Sequence, residues 1–180
     1  MKNFLVVGRA VASFVATALS LTLVTASVAA PGGLDTTFGG GNGYVTTPFI
    51  GISANERANA VVVRPDGRIL VAGGCTQSNG SRDVCLVQYL ASGATDSTFG
   101  PSMNGRMVIN RFGDETANAM VLAPDGKAYV AATCGVESCV FSINANGSLD
   151  SSFGSAGVAS FLMGGLRQQG RPSFASLMAS

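Results

Sequence analysis

The stretch LDTTFG, residues 34–39, sets the architecture of this chain because the same pattern returns twice. It recurs as ATDSTFG at positions 94–100 and as SLDSSFG at positions 148–154, which places its phenylalanines at Phe38, Phe99 and Phe153. Self-similarity at a nearly fixed period, here about 54–61 residues, marks a repeat protein rather than one irregular domain.

The sequence between these copies repeats in step with them. RANAVVVRPDG at positions 57–67 matches TANAMVLAPDG at positions 116–126. The shared Pro-Asp-Gly is typical of a hairpin turn, because Pro presets φ, Asp bonds its own backbone and Gly accepts a left-handed φ. Val61–Val63 and Ile69–Ala72 are apolar at consecutive positions. Such runs indicate strands that are covered on both faces.

Four strand-like runs in each copy predict an all-β fold. They are Tyr44–Pro48, Ala60–Arg64, Ile69–Cys75 and Val84–Leu90 in the first copy, and Arg106–Asn110, Ala119–Ala123, Ala128–Cys134 and Cys139–Ile143 in the second. Repeats of this length with several short strands are typical of β-propeller blades.

We predict that residues 30–163 form β-propeller-like blades of four antiparallel strands. The first two blades would cover residues 34–95 and 96–149. Part of a third blade at residues 150–163 would begin with Val158–Leu162. Residues 164–180 match nothing earlier in the chain and would form a poorly ordered tail.

Residues 1–29 predict a secretory signal peptide. Lys2 and Arg9 give a positive start, Ala10–Ala30 is uncharged, and small residues suit cleavage after Ala29. The alternative is a retained anchor, since the uncharged run is long enough to span a bilayer. In either case the repeats would be exported. We expect a secreted, periplasmic or cell-surface protein that has no membrane association once the leader is removed.

The composition excludes several classes of function. The chain has no histidine, which removes the usual general base near neutral pH and the commonest nitrogen ligand of zinc. A Ser-His-Asp or Cys-His arrangement therefore cannot be built from this chain alone. Its 11 basic and 10 acidic residues leave a net charge of +1 without a basic cluster. We therefore expect no nucleic-acid partner.

The four cysteines follow the repeat. Cys134 occupies the position in the second copy that Cys75 occupies in the first, and Cys139 matches Cys85 in the same way. Each pair lies where one predicted strand ends and the next begins, positions that a hairpin brings side by side. Because export permits oxidation, we predict disulfides Cys75–Cys85 and Cys134–Cys139. A metal site would need four converging ligands, whereas these pairs lie on separate blades.

Three segments together carry a family resemblance: LDTTFGGGNGYVTT, ANAVVVRPDGRILVAGG and VCLVQYLASGATDSTFG. They resemble the delta-60 repeat family of bacterial secreted and surface proteins over residues 33–162. Its marks are the Leu-Asp-x-x-Phe-Gly turn, the Asn-Ala-x-x-x-x-Pro-Asp-Gly hairpin and the Val-Ala strand after it. The resemblance implies a β-propeller and a bacterial, exported location. It carries over no catalytic residues, and members of the family usually have more repeats than the two and a fraction found here.

One aspartate precedes the phenylalanine of each copy by three positions: Asp35, Asp96 and Asp150. We interpret these residues as turn formers, with each phenylalanine filling the seam between blades. The alternative is calcium held by these aspartates and nearby carbonyls. Calcium sites need several carboxylates close together, and each turn offers one. We therefore expect no metal or other cofactor, with calcium as the alternative.

The remaining carboxylates available for catalysis are Asp83, Asp114, Glu115 and Glu137, all in predicted loops. Paired carboxylates can perform acid–base chemistry when they are held near each other. Asp114 and Glu115 are adjacent, but the pattern indicates a solvated turn. We therefore expect no enzymatic activity.

Two functions from different classes fit these patterns. The first is an exported structural or interaction module that binds a surface or protein partner, or assembles with itself through open blade edges. The second is a fragment of an exported propeller enzyme or calcium-dependent hydrolase with no activity of its own.

Overall fold

Short apolar runs between glycine-containing turns fold as β-strands. The computed structural model describes residues 32–48, 55–111 and 113–162. Its strands are β1 (Arg57–Val63), β2 (Ile69–Thr76), β3 (Arg82–Tyr89), β4 (Arg106–Ile109), β5 (Glu115–Leu122), β6 (Ala128–Cys134), β7 (Glu137–Ile143) and β8 (Val158–Phe161), and a short 3-10 turn covers Gly39–Gly41. The predicted all-β class is confirmed.

The strands form two sheets, each an antiparallel meander of four. The first sheet has the order β1-β2-β3-β4 and the second the order β5-β6-β7-β8. The turn chemistry explains the first hairpin of each sheet. Asp66 Oδ1 accepts a hydrogen bond from the backbone N of Arg68 at 3.0 Å, and Asp125 Oδ1 accepts one from Lys127 N at 3.0 Å. Gly67 follows Asp66 with φ of +83°.

Each sheet also has a bulge at the same place in its first strand. The pairing between β1 and β2 shifts between Ala58 and Ala60, and that between β5 and β6 shifts between Ala117 and Ala119. The extra residue is therefore an asparagine in both strands, Asn59 and Asn118. A bulge twists the strand and redirects this side chain.

The two sheets pack face to face over one core. Leu70, Ala72 and Leu86 of the first sheet belong to the same buried cluster as Met120, Val130 and Phe141 of the second. Residues paired across strands share a face, so the strand registers show which residues lie on the packed face of each sheet. The first sheet packs through one face of the repeat and the second sheet through the opposite face. The sheets therefore stack in the same orientation, as successive propeller blades do.

The structure divides the repeat differently from the sequence prediction. Tyr44–Pro48, predicted as the first strand of the first blade, is not in a strand. The two segments that match it, Arg106–Asn110 and Val158–Leu162, supply the fourth strands of the first and second sheets. The segment predicted to open a third blade therefore completes the second sheet. The reason is that β3 and β7 each need a partner on their free edge, and the next repeat supplies it.

Two predicted segments, the leader at residues 1–29 and the tail at residues 164–180, lie outside the described residues. Within the described ranges, the structure has no helix long and apolar enough to cross a membrane.

Candidate functional site

Each Phe-Gly turn begins with an aspartate that folds the backbone around its own side chain. Asp96 Oδ1 accepts hydrogen bonds from the backbone N of Thr98 at 3.0 Å and from its hydroxyl at 2.7 Å. Asp35 does the same with Thr37, and Asp150 with Ser152. The predicted role as turn formers is therefore what the geometry shows at all three positions. We call the Phe-Gly dipeptide that follows each aspartate a knob.

Each of the first two knobs packs on a turn in the sheet that follows it. Gly100 N donates to Asn146 O at 2.9 Å, and a Cβ on Gly147 would lie 2.9 Å from the Phe99 ring. We call this turn, Asn146-Gly147, a socket. Only glycine leaves room for the ring there, and its φ of +82° also favours glycine.

The N-terminal knob repeats this contact one unit earlier. Gly39 N donates to Ser92 O at 2.9 Å, and a Cβ on Gly93 would lie 3.0 Å from the Phe38 ring. Ser92-Gly93 is thus the second socket. The sockets were not predicted from the sequence, although Gly93 and Gly147 are spaced at the same interval as Phe99 and Phe153.

The third knob, Phe153-Gly154, has no socket among the described residues. Its ring is half-buried and lies 5.5 Å, centroid to centroid, from Tyr129 of its own sheet. Phe99, by contrast, has no exposed surface. Phe99, which lies between the two sheets, is therefore more deeply buried than Phe38 and Phe153, which are both half-buried.

The two sheets leave their outward faces incompletely covered. The second sheet packs on the first through one of its two faces. We call that face, and the equivalent face of the first sheet, the leading face. Val61 and Val63 lie on the leading face of the first sheet and are 62% and 64% exposed. Their equivalents in the second repeat are Met120, which is 9% exposed, and Leu122, which packs on the core.

The opposite face, the trailing face, shows the reverse pattern. In the first sheet it contains Val62 and Ala72, which pack in the core between the sheets. Their equivalents in the second sheet, Val121 and Ala131, are exposed, the valine by 60%. Each end of the described stack thus exposes valines whose repeat equivalents pack at the internal interface.

Part of the leading face of the first sheet is covered by the N-terminal segment. Tyr89 donates from its hydroxyl to Thr47 Oγ1 at 2.7 Å. Val87, beside it on β3, is 4% exposed. A cleft of about 290 Å³ lies between Val45–Thr47 and the sheet, where Val71 contributes to its lining. The cover is therefore incomplete.

The electrostatics of the turns come from neighbouring donors. Burial alone would raise the pKa of Asp96, but hydrogen bonds from Thr98, Gln88 and Arg68 outweigh it and lower the pKa to about 2. Hydrogen bonds from Ser152 and Lys127 lower the pKa of Asp150 to about 2. Both carboxylates are therefore held in their charged form by their neighbours.

The three calcium candidates lie in separate turns. Asp96 Oδ2 already accepts from Arg68 Nε at 2.8 Å, and Asp150 Oδ2 lies 2.9 Å from Lys127 Nζ. Asp35 is exposed. No group of three or more potential metal ligands comes together within residues 32–48, 55–111 and 113–162.

The four candidate catalytic carboxylates are not all in loops, which corrects the sequence prediction. Asp83, Glu115 and Glu137 lie in strands, and only Asp114 lies in a turn. Glu115 is fully buried and accepts from Arg111 N at 3.1 Å. The expected solvated turn is therefore wrong for Glu115, because its side chain folds inward from the start of β5.

Asp83 is buried in its strand, whereas Asp114 is exposed. Burial raises the pKa of Asp83, and the nearby Gln77 side chain partly offsets this. The carboxyl of Asp114 accepts from Arg82 N at 2.9 Å, which joins the start of β3 to the turn before β5. Asp114 therefore links the two sheets.

The structure joins the cysteines in the predicted pairs. Cys75 and Cys85 link β2 to β3 with a Cα–Cα distance of 5.8 Å, and Cys134 and Cys139 link β6 to β7 at 6.1 Å. In both sheets the partners are diagonal, because Cys85 pairs in the ladder with Gly73 and Cys139 pairs with Ala132. The bonds close the same end of each sheet.

These features define a class: an all-β chain of propeller-type blades in two stacked, unclosed four-stranded sheets. A family model described as "Domain of unknown function (DUF5122) beta-propeller" matches residues 64–99, from the β1–β2 turn to the Phe99 knob. That segment contains part of the sequence that carries the delta-60 resemblance. Among curated proteins, none matches the chain.

Proposed function

We propose that the protein is an exported module of delta-60-type propeller repeats that assembles head to tail with copies of itself. Export is supported by the predicted leader and by cysteine pairs in both sheets, since disulfides persist in oxidising compartments. The propeller repeat is supported by the stacked sheets and by the family match. The module acts by binding rather than by catalysis.

One observation is the main support for the proposed head-to-tail assembly. The exposed valines at the two ends, Val61 and Val121, are repeat equivalents of Met120 and Val62, which pack within the internal interface. A trailing face that meets a leading face of another copy would therefore recreate a contact the chain already makes. Such a contact joins different surfaces of the two copies, so it forms rings or filaments rather than two-fold dimers.

A polar contact supports the same geometry. Asn59 Nδ2 donates across the internal interface to Ala117 O at 2.8 Å. Its equivalent, Asn118, has no following blade among the described residues and donates instead to Thr133 Oγ1 of its own sheet at 3.0 Å. In the proposed assembly Asn118 turns to the carbonyl of Ala58 in the next copy, the residue that matches Ala117.

The solution mass of the oxidised chain, residues 30–180, tests this proposal by light scattering after size exclusion. We expect a discrete oligomer at high protein concentration that dissociates on dilution. Val121→Glu should remain monomeric, because it places a charge in the recreated core. Val136→Glu is the matched control, since Val136 is 91% exposed in the β6–β7 turn, away from both faces. A wild-type chain that stays monomeric at every concentration would contradict the proposal.

A further inference from the structure

We propose that residues 34–48 cap the chain against its own assembly. In this interpretation the Phe38-Gly39 knob competes with the Phe153-Gly154 knob of a second copy for the Ser92-Gly93 socket. The inference rests on the head-to-tail assembly proposed above and names the contact that regulates it.

The described residues contain more knobs than sockets. The knobs are at Phe38, Phe99 and Phe153, whereas the sockets are at Gly93 and Gly147. Phe99 fills the Gly147 socket within the chain. When a second copy brings its trailing face to the leading face of the first sheet, its Phe153 arrives at Gly93. That socket already holds Phe38.

The two knobs cannot share the socket. The Phe38 ring passes 3.0 Å from where a Cβ of Gly93 would lie, and the single N–H of Gly39 occupies Ser92 O. A ring this close to the glycine fills the space beside it, so a second ring has no room there. An incoming copy must therefore displace Phe38-Gly39 or leave its own knob unpacked.

The rest of the capping segment occupies the place of an incoming strand. Tyr44–Pro48 matches β4 and β8 in the repeat. Each of those strands is the last strand of its sheet, and the socket for the knob just before β4 lies in the next sheet. An incoming second sheet already has its own β8 in this position. The Thr47–Tyr89 contact must then open along with the knob.

The balance between cap and copy depends on concentration. The cap is intramolecular and so acts at an effective concentration of about millimolar. It is held by a half-buried phenylalanine, one backbone bond at Ser92 and one hydroxyl bond at Tyr89. A second copy would instead cover Val61 and Val63 as well. The cap therefore keeps the dilute chain closed and yields when the local concentration of chains is high.

A peptide competition measures the socket independently of assembly. The probe is a fluorescent synthetic peptide of residues 148–162, titrated at low protein concentration into the wild-type chain and into Phe38→Ala. We expect Phe38→Ala to bind it at least 10-fold more tightly than wild type, and a peptide carrying Phe153→Ala to lose at least 10-fold in affinity for either protein. Equal binding by wild type and Phe38→Ala, or equal binding of the two peptides, would overturn the inference.

A milder variant keeps the test valid if Phe38→Ala folds poorly. Thr47→Val preserves the knob and the side-chain shape but removes the acceptor of the Tyr89 hydroxyl, and one such bond corresponds to about 5-fold in affinity. We expect tighter peptide binding by about that factor. Unchanged binding by Thr47→Val, with its melting transition intact, would count against the cap.

Light scattering of the same variants separates this inference from the proposed function. Phe38→Ala should assemble at roughly 10-fold lower concentration than wild type, and Phe153→Ala at higher concentration. Assembly of wild type and Phe38→Ala at the same concentration would overturn the cap and leave head-to-tail assembly standing. Peptide competition without assembly of any variant would retain the socket and reject the oligomer.

Discussion

The two sheets are built alike and are covered differently. Both have the same strand order, the same bulge at an asparagine and the same diagonal cysteine pair. The first sheet has a blade on its trailing face, whereas the second exposes Val121 there. The turn and strand chemistry that the repeats share therefore shapes both blades, while burial of the blade faces depends on the neighbour.

The polar contacts show the same contrast. Arg64 donates from Nε to Gln88 Oε1 at 2.7 Å and from Nη1 to Gly126 O of the next blade at 2.6 Å. The repeat equivalent of Arg64 is Ala123, which has no side chain able to reach beyond the second sheet. The bridge between the blades therefore depends on the arginine at this position of the repeat as well as on a following blade.

The largest expected effect comes from comparing substitutions in two of the knobs. Phe99→Ala should destabilise the chain by about 3–5 kcal/mol, because it empties a fully buried site between the sheets. Phe153→Ala should cost less than about 2 kcal/mol, since its ring is half-buried against Tyr129 at the open end. Guanidinium unfolding of the monomeric chain measures both values. Equal losses would mean that the internal interface contributes no more than the open end.

The disulfides provide a test of what the two blades share. Replacing Cys75 and Cys85 by serine should destabilise the chain by about 2–3 kcal/mol, and so should replacing Cys134 and Cys139. The first pair should cost about 0.6 kcal/mol more, because its sequence separation of 10 is twice the separation of 5 in the second pair. The comparison uses urea unfolding of each double variant beside the oxidised parent. Titration of the denatured parent should give no free thiol, and a larger loss at the shorter loop would contradict the loop-closure account.

The smallest effect concerns the charged turns. The pKa of Asp96 falls from 3.8 to about 2 on folding, so its contribution to stability is complete above about pH 4 and is lost as the pH falls towards 2. Asp96→Asn should cost about 1–2 kcal/mol at pH 7 and should make stability depend less on pH between 4 and 2. Asp35→Asn, in the exposed N-terminal turn, is the matched control and should change little. Urea unfolding midpoints of the parent and both variants are measured at pH 7, 4 and 2.5. If stability falls between pH 4 and 2.5 as steeply in Asp96→Asn as in the parent, other groups control the acid dependence.

The blade was easier to predict from the sequence than its boundaries. The strands Ile69–Cys75 and Ala128–Cys134 and both cysteine pairs agree with the structure to within one position. These features depend on local signals: turn residues, apolar runs and cysteine spacing. Tyr44–Pro48 was predicted as a strand and is not one, because a periodic sequence looks the same whichever strand is counted first. Only the hydrogen-bond partners of β3 and β7 decide where a sheet ends.

The sockets and the buried carboxylates were harder to predict for a different reason. Gly93 and Gly147 look like ordinary turn glycines until the ring of the phenylalanine about 50 residues earlier is placed beside them. Glu115 follows a Gly-Asp pair that is typical of an exposed turn, yet it is fully buried. The sockets depend on contacts between residues about 50 positions apart, and the burial of Glu115 depends on the direction in which its side chain leaves β5, and local turn signals encode neither.

The fourth strand of each sheet comes from the next repeat, and this also sets the order in which the chain can fold as it emerges N-terminus first. The first sheet has three strands once Tyr89 is free, but its edge at β3 stays open until Arg106–Ile109 has followed. During that interval Tyr44–Pro48, whose sequence matches β4, is already present. An early pairing of that segment with the open edge would be a trap that the arrival of β4 must undo. The disulfide between Cys75 and Cys85 needs neither segment, so oxidation can fix the β2–β3 hairpin before the competition for its edge begins.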